Sequence, residues 1–224
     1  ATALTMLRTL FAFLMVFVAA PAIAGGYAAS PAVTPPAAAD PENILYLDLS
    51  TGGRVTILLR PDRAPRHVER VKTLARRGFY DGLLFHRVIE GFMAQTGDPK
   101  GTGEGGSDLP NLQPEFNDLP HVRGAVSMAR AGAPDSANSQ FFIVLQPVLR
   151  LDRQYTVFGR VIDGMQWVDA IARGEPPANP SRILQASIAA DHKPPPPFPA
   201  PAAVAPPPAP ATPASPPDDA NPTP

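Results

Sequence analysis

The stretch Phe85-His86-Arg87-Val88-Ile89-Glu90-Gly91-Phe92-Met93-Ala94-Gln95-Thr96-Gly97-Asp98 decides how the rest of the chain is read. Phe85 to Ile89 has the length and apolar character of a buried strand. Gly91 breaks the run, and Phe92-Met93-Ala94-Gln95 reads as a second strand. Arg87 is the odd residue, a permanent charge inside an apolar strand. Burying it unpaired would be costly, so it faces outward, pairs with a carboxylate, or does chemistry.

Towards the N-terminus, Leu45, Leu47 and Leu49 alternate with polar residues, as do Val55, Ile57 and Leu59. Thr51-Gly52-Gly53 lies between them, which is the pattern of a hairpin. Pro65 then opens a helix in which Val68, Val71, Leu74 and Ala75 recur at helical spacing. Glu69, Arg70, Lys72, Arg76 and Arg77 fall on its wet side, and Gly78 stops it.

Towards the C-terminus, a glycine-rich loop runs from Gly101 to Gly106. Strands are expected over Gly124–Met128, Gln140–Leu145, Tyr155–Val161 and Ile183–Ala189, with a short helix over Gly164–Ala172. Many short strands, glycine and proline turns and two helices make a mainly β domain, either a barrel or a sandwich.

The ends of the chain differ from its middle. Most of the 31 prolines among 224 residues fall before Asn43 or after His192. Met6-Leu7-Arg8, the apolar run Leu10–Ala20 and the small-residue exit at Ala22 and Ala24 have the order of a secretory signal. Residues 1–24 are therefore expected to be cut off after Ala24, and the apolar run is shorter than a membrane-spanning helix needs. Residues 25–42 read as a Pro/Ala linker and 193–224 as a disordered Pro-rich tail. The remaining domain, 43–192, has a size, about 150 residues, at which folding buries roughly 70% of the unfolded surface without a metal or disulfide.

Composition narrows the chemistry. With 19 basic and 20 acidic residues the net charge is −1, and no basic block points to nucleic acid. There is no cysteine, which removes thiol chemistry and cysteine-held metals. His67, His86, His121 and His192 have no metal-site spacing, so no metal or cofactor is expected. His86 reads as a hydrogen-bonded structural residue. No G-x-S-x-G elbow supports hydrolysis, and the glycine loop lacks the phosphate-binding G-x-x-x-x-G-K-[ST] pattern.

Several separate motifs resemble the cyclophilin family. They are Phe85 to Asp98, Ser127-Met128-Ala129-Arg130, Ser139-Gln140-Phe141-Phe142-Ile143, Leu151-Asp152 and Tyr155-Thr156-Val157-Phe158-Gly159. The resemblance covers about residues 43–190 and neither Pro-rich end. It implies a closed eight-stranded antiparallel β-barrel capped by two helices, with the active site on an outer face. It implies peptidyl-prolyl cis-trans isomerase activity on polypeptides containing Xaa-Pro bonds. By position, Arg87 resembles the catalytic arginine. Phe92, Met93, Phe142 and Leu151 resemble the pocket for the proline ring, and Tyr155 an aromatic wall beside it. Gln95 and Gln140 resemble polar groups near the rotating amide. Ala129 and Arg130 resemble the segment that binds substrate backbone, and Gly101, Thr102 and Gly103 a neighbouring subsite. Arg150 stands where many eukaryotic members carry a tryptophan that helps hold cyclosporin, so the resemblance does not extend to binding that drug. Arg130 and Tyr155 look bacterial. A monomer in a bacterial periplasm, free of the membrane after signal cleavage, is the expectation.

Overall fold

The computed structural model describes residues 40–199. The expected signal segment, the linker before Asp40 and the tail beyond Pro199 lie outside the described residues. No helix among the described residues is long and apolar enough to cross a membrane.

The hairpin forms as its alternation predicts. Strands β1 (Ile44–Leu49) and β2 (Gly53–Leu59) pair antiparallel, with Leu45 opposite Ile57 and Leu47 opposite Val55. All four side chains are fully buried. Gly53 is needed for packing: a Cβ there would sit 2.2 Å from Cε2 of Trp167, whose indole lies on the turn.

Helix α1 (Pro65–Arg76) buries Val68, Val71, Leu74 and Ala75 against the sheet. Ala64 offers no side-chain cap to its N-terminus. Glu115 does so from a distant loop, accepting hydrogen bonds from the backbone N–H groups of Arg66 (3.1 Å) and His67 (3.0 Å) and contacting His67 Nδ1 at 2.6 Å. Arg70, expected on the wet side, is buried instead. Its long stem carries the guanidinium to the carbonyls of Asn138 (3.0 Å) and Pro110 (2.6 Å), which replace water as partners.

The other strands are β3 (Arg87–Ile89), β4 (Met93–Thr96), β5 (Ala125–Met128), β6 (Phe141–Val144), β7 (Val157–Asp163) and β8 (Ile183–Ile188). Helix α2 (Met165–Asp169) lies between β7 and β8. It is shorter than the apolar pattern predicted, and Gly164 at φ +83° precedes it. All eight strands join one sheet in the order β3-β4-β6-β5-β7-β2-β1-β8. Every pairing is antiparallel. The expected strand from Phe85 begins only at Arg87, because residues 82–85 bond elsewhere. Gly82 donates to Ile183 O (2.7 Å), Ile183 to Leu83 O (2.9 Å) and Phe85 to Ser181 O (2.9 Å). These bonds tie the β3 side of the curled sheet to β8, its opposite edge.

Strand alternation then divides the sheet into two faces. Val88, Ala94, Ile143 and Val126 point into the main core. Their neighbours point outward, and the site is built on them.

Candidate active site

Cross-strand register assembles one row of side chains. Arg87 lies opposite Gln95, Gln95 opposite Phe142, and Phe142 opposite Ser127. Residues directly opposite in a sheet share a face, so these four stand on the outside of the barrel. A parallel row, Ile89, Met93 and Val144, stands beside them.

This outer face carries its own apolar cluster, separate from the main core. Met93, Ala125, Phe142, Val144 and Val157 are its buried floor. Phe92, Ala129, Leu151 and Tyr155 pack around it, together with Ile89 and Leu119. The apolar residues named from the motifs therefore meet in one place. The Phe142 and Tyr155 rings meet edge to face, with centroids 5.9 Å apart. Ala125, Val144, Val157, Ile89 and Leu119 were not foreseen as site residues. A short apolar strand buried on both faces carries no signal of which side is the core.

Two arginines cap the aromatic walls. The Arg130 guanidinium lies 4.6 Å from the Tyr155 ring centroid, and that of Arg150 lies 5.5 Å from the Phe92 centroid. Arg130 also donates to the carbonyls of Gln154, Ala131 and Gly132. Much of its fork is thus used to join two loops at the pocket edge.

A concavity of about 580 Å³ adjoins the cluster, lined by Gln95, Gln140, Ala129, Arg130, Asn138 and the loop from Gly103 to Ser107. Gly101 and Thr102 lie outside its wall and act at the base of the loop. There Asp98 accepts from the backbone N–H groups of Lys100 (2.7 Å), Thr102 (2.9 Å) and Gly103 (2.6 Å). Burial raises the Asp98 pKa, yet these backbone donors outweigh it and hold the carboxyl below its ordinary value. Gln95 Nε2 donates to Gln140 Oε1 at 2.9 Å. Gln140 Nε2 in turn donates to the carbonyls of Gly103 (2.9 Å) and Gly105 (2.8 Å). The two glutamines thus connect the outward row to the glycine loop.

His86 differs from expectation. It is buried, but neither ring nitrogen has a well-formed hydrogen-bond partner. Burial pushes its pKa down, which keeps it neutral.

His121 assembles a constellation that no local motif announces. Its Nδ1 lies 2.8 Å from Asp152 Oδ1 and its Nε2 3.0 Å from Ser127 Oγ. The carboxylate makes Nδ1 the donor, so Nε2 accepts from the serine hydroxyl. This is the connectivity of a nucleophilic triad. Ser127 and His121 are fully buried, however, so no substrate reaches the hydroxyl. The network instead holds the loop bearing Leu151 and Tyr155 against the outer apolar cluster.

The Arg87 side chain is 42% exposed and its Nε lies 3.2 Å from Glu175 Oε1. Facing outward and pairing with a carboxylate, two of the readings open from sequence, hold together. Both are compatible with a chemical role, because the side chain stands on the outer face beside the apolar cluster.

The profile of the cyclophilin type peptidyl-prolyl cis-trans isomerase/CLD family matches residues 46–188, which is more than half of the chain. The chain belongs to the cyclophilin family. A probable peptidyl-prolyl cis-trans isomerase of Brucella suis biovar 1 is 48% identical over 178 residues, spanning 72% of this chain and 90% of that protein. Peptidyl-prolyl cis-trans isomerase B of Bacillus subtilis is 44% identical over 131 residues, spanning 58% of this chain and 91% of that protein. Among solved structures, the cyclophilin AquaCyp293 of Hirschia baltica superposes with a TM-score of 0.63 at 30% identity, covering 68% of this chain and 76% of that one. A Cryptosporidium parvum cyclophilin crystallised in the presence of the dipeptide Ala-Pro gives a TM-score of 0.61 at 28% identity, covering 65% of this chain and 98% of that one. This cyclophilin is accordingly a peptidyl-prolyl cis-trans isomerase, with polypeptides containing proline as its substrates.

Proposed function

We propose that the outer-face row and its apolar cluster are where this cyclophilin turns Xaa-Pro bonds, and that its clients are exported proteins. The observation that carries the first part is the register Arg87–Gln95–Phe142, which sets a guanidinium beside an apolar pocket.

Rotation about a peptide bond must break amide resonance, a barrier of about 18–20 kcal/mol. No covalent bond forms or breaks, so no nucleophile, metal or general base is required. As the bond twists, the proline nitrogen pyramidalises and regains a lone pair. A donor aimed at that nitrogen binds the twisted state better than the planar one, which is the condition for acceleration. Arg87 is always charged and supplies fixed donors. Met93, Phe142, Leu151 and Phe92 hold the proline ring while the preceding carbonyl swings. Tyr155 walls the pocket, and Ala129 and Arg130 border the groove for substrate backbone. The concavity between Gln140 and the Gly103–Ser107 loop takes the side chain before proline, and Gly101 and Thr102 set the loop's base. Arg150 sets a charged fork over Phe92 where many eukaryotic members carry the flat indole that helps hold cyclosporin, which weighs against that drug as a ligand.

The test is cis-to-trans conversion of a short Ala-Pro peptide by the full chain and its Arg87→Ala variant. Uncatalysed conversion takes roughly tens of seconds, so acceleration is easy to see. The variant should lose about 100- to 1000-fold in kcat/KM, the scale of one preorganised donor. A variant within twofold of wild type removes Arg87 from the mechanism.

Residues 43–192 form the isomerase domain in this reading. The signal-like start supports export, to the periplasm of a bacterium, of a monomer that leaves the membrane once residues 1–24 are removed. Expression in a diderm bacterium followed by fractionation and mass spectrometry should give periplasmic protein beginning at Gly25. An intact N-terminus in the cytoplasmic fraction would end the export reading.

A further inference from the structure

Arg87 is a long, flexible side chain, and a donor serves the twisted bond only if its fork is held in place. Its cross-strand neighbour Gln95 is the obvious group to hold it. Among the described residues Gln95 makes no hydrogen bond to Arg87: its amide nitrogen donates to Gln140, which is itself committed to the glycine loop. The constraint on Arg87 comes from the other side.

Segment Arg173-Gly174-Glu175 lies along the free edge of β3 as a one-bridge strand. Val88 N–H donates to Gly174 O (2.8 Å) and Gly174 N–H to Val88 O (2.9 Å). Because the bridge is antiparallel, Glu175 falls opposite Arg87 and Arg173 lies opposite Ile89, next to Glu90. The row across the outer face thus begins one residue earlier than the named strands show: Glu175, Arg87, Gln95, Phe142. A second ion pair holds the segment, Arg173 Nε to Glu90 Oε2 at 2.6 Å. Gly174 has φ +143°, and a Cβ there would lie 2.6 Å from Cα of Pro177. The close return of the chain that carries Glu175 back to the edge therefore requires glycine.

We propose that Glu175 is a positioning residue for isomerisation. Its carboxylate engages the Nε side of Arg87 at 3.2 Å and so aims the two Nη groups at the proline nitrogen. Glu175 does not touch substrate; it acts through Arg87, and the inference rests on the role of Arg87 proposed above.

The experiment is a double-mutant cycle in the full chain, read by peptide isomerisation and, separately, by peptide affinity. Glu175→Ala should lower kcat/KM about fivefold while leaving peptide Kd and thermal midpoint unchanged, because pocket and core are untouched. Glu175→Gln, which keeps an acceptor at the same reach, should recover part of the loss. In an Arg87→Ala background, adding Glu175→Ala should change nothing further. Activity of Glu175→Ala within about 1.5-fold of wild type, or higher than it, overturns the proposal. So does an equal extra loss in the Arg87→Ala background, which would mean that the segment acts on the pocket. If Arg87→Ala alone keeps full activity, the role of Arg87 fails, and Glu175 has nothing to position.

Discussion

At the scale of single residues, the mechanism proposed for this cyclophilin needs only a permanent charge, a fixed direction and an apolar pocket beside it. In that mechanism Arg87 supplies the first, and its place on the outer face together with its pairing to Glu175 supplies the second. None of the groups assigned to the rotating amide changes protonation near neutrality, and His86 is buried and kept neutral. Turnover should therefore be nearly flat between about pH 6 and 8, unlike histidine catalysis. A bell-shaped profile of kcat/KM over that range, at a temperature where the fold is intact, would bring His86 into the mechanism.

At the scale of elements, helix α1 depends on a residue far away in sequence. Glu115 satisfies two of its unpaired N-terminal N–H groups and meets Nδ1 of buried His67. Removing a helix cap costs about 0.5–2 kcal/mol, and leaving a buried polar group unpaired costs about 1–3 kcal/mol. Glu115→Ala should thus lower unfolding stability by roughly 2–3 kcal/mol, read from urea midpoints at unchanged m. A change below about 0.5 kcal/mol would mean that solvent replaces the cap freely. The hairpin, by contrast, was legible in advance. Its alternation of leucine, valine and isoleucine with polar residues specifies a half-buried β pair, and Gly52 and Gly53 mark the turn.

At the scale of the whole molecule, three histidines bear on acid stability together. His67, His86 and His121 are buried, and burial lowers the pKa of each despite the nearby carboxylates Glu115, Asp98 and Asp152. Depressed folded values mean that the unfolded chain binds more protons once the pH falls below about 6.5, the free histidine value. Stability should be level above about pH 7.5 and decline as the pH drops below 6.5 towards the lowered folded values. Thermal midpoints measured from pH 8 to pH 5 check this, and a midpoint constant to pH 5 would show that the rings stay paired when charged. Asp98 adds to the loss only further down. Its carboxyl is held below the ordinary value, so its stabilisation is complete above about pH 4 and fades below it.

Local sequence alone determined the eight strands and the two helices, because apolar periodicity and turn glycines are written residue by residue; the residues of the proposed pocket were marked only by motifs that resemble the family's. It also marked Arg87 as out of place in an apolar strand. Register and the folding back of distant loops decided the rest. Outer and inner faces of a strand look alike when both are buried, so the second apolar cluster emerged only when β4, β5, β6 and β7 paired. His121, Ser127 and Asp152 are ordinary residues until the chain brings them within hydrogen-bond reach. Glu175 lies far from Arg87 in sequence and reaches it only because β3 has a free edge and Gly174 lets the chain return to it. Contacts between distant residues have no local signature, since the physical term that creates them is packing of the whole.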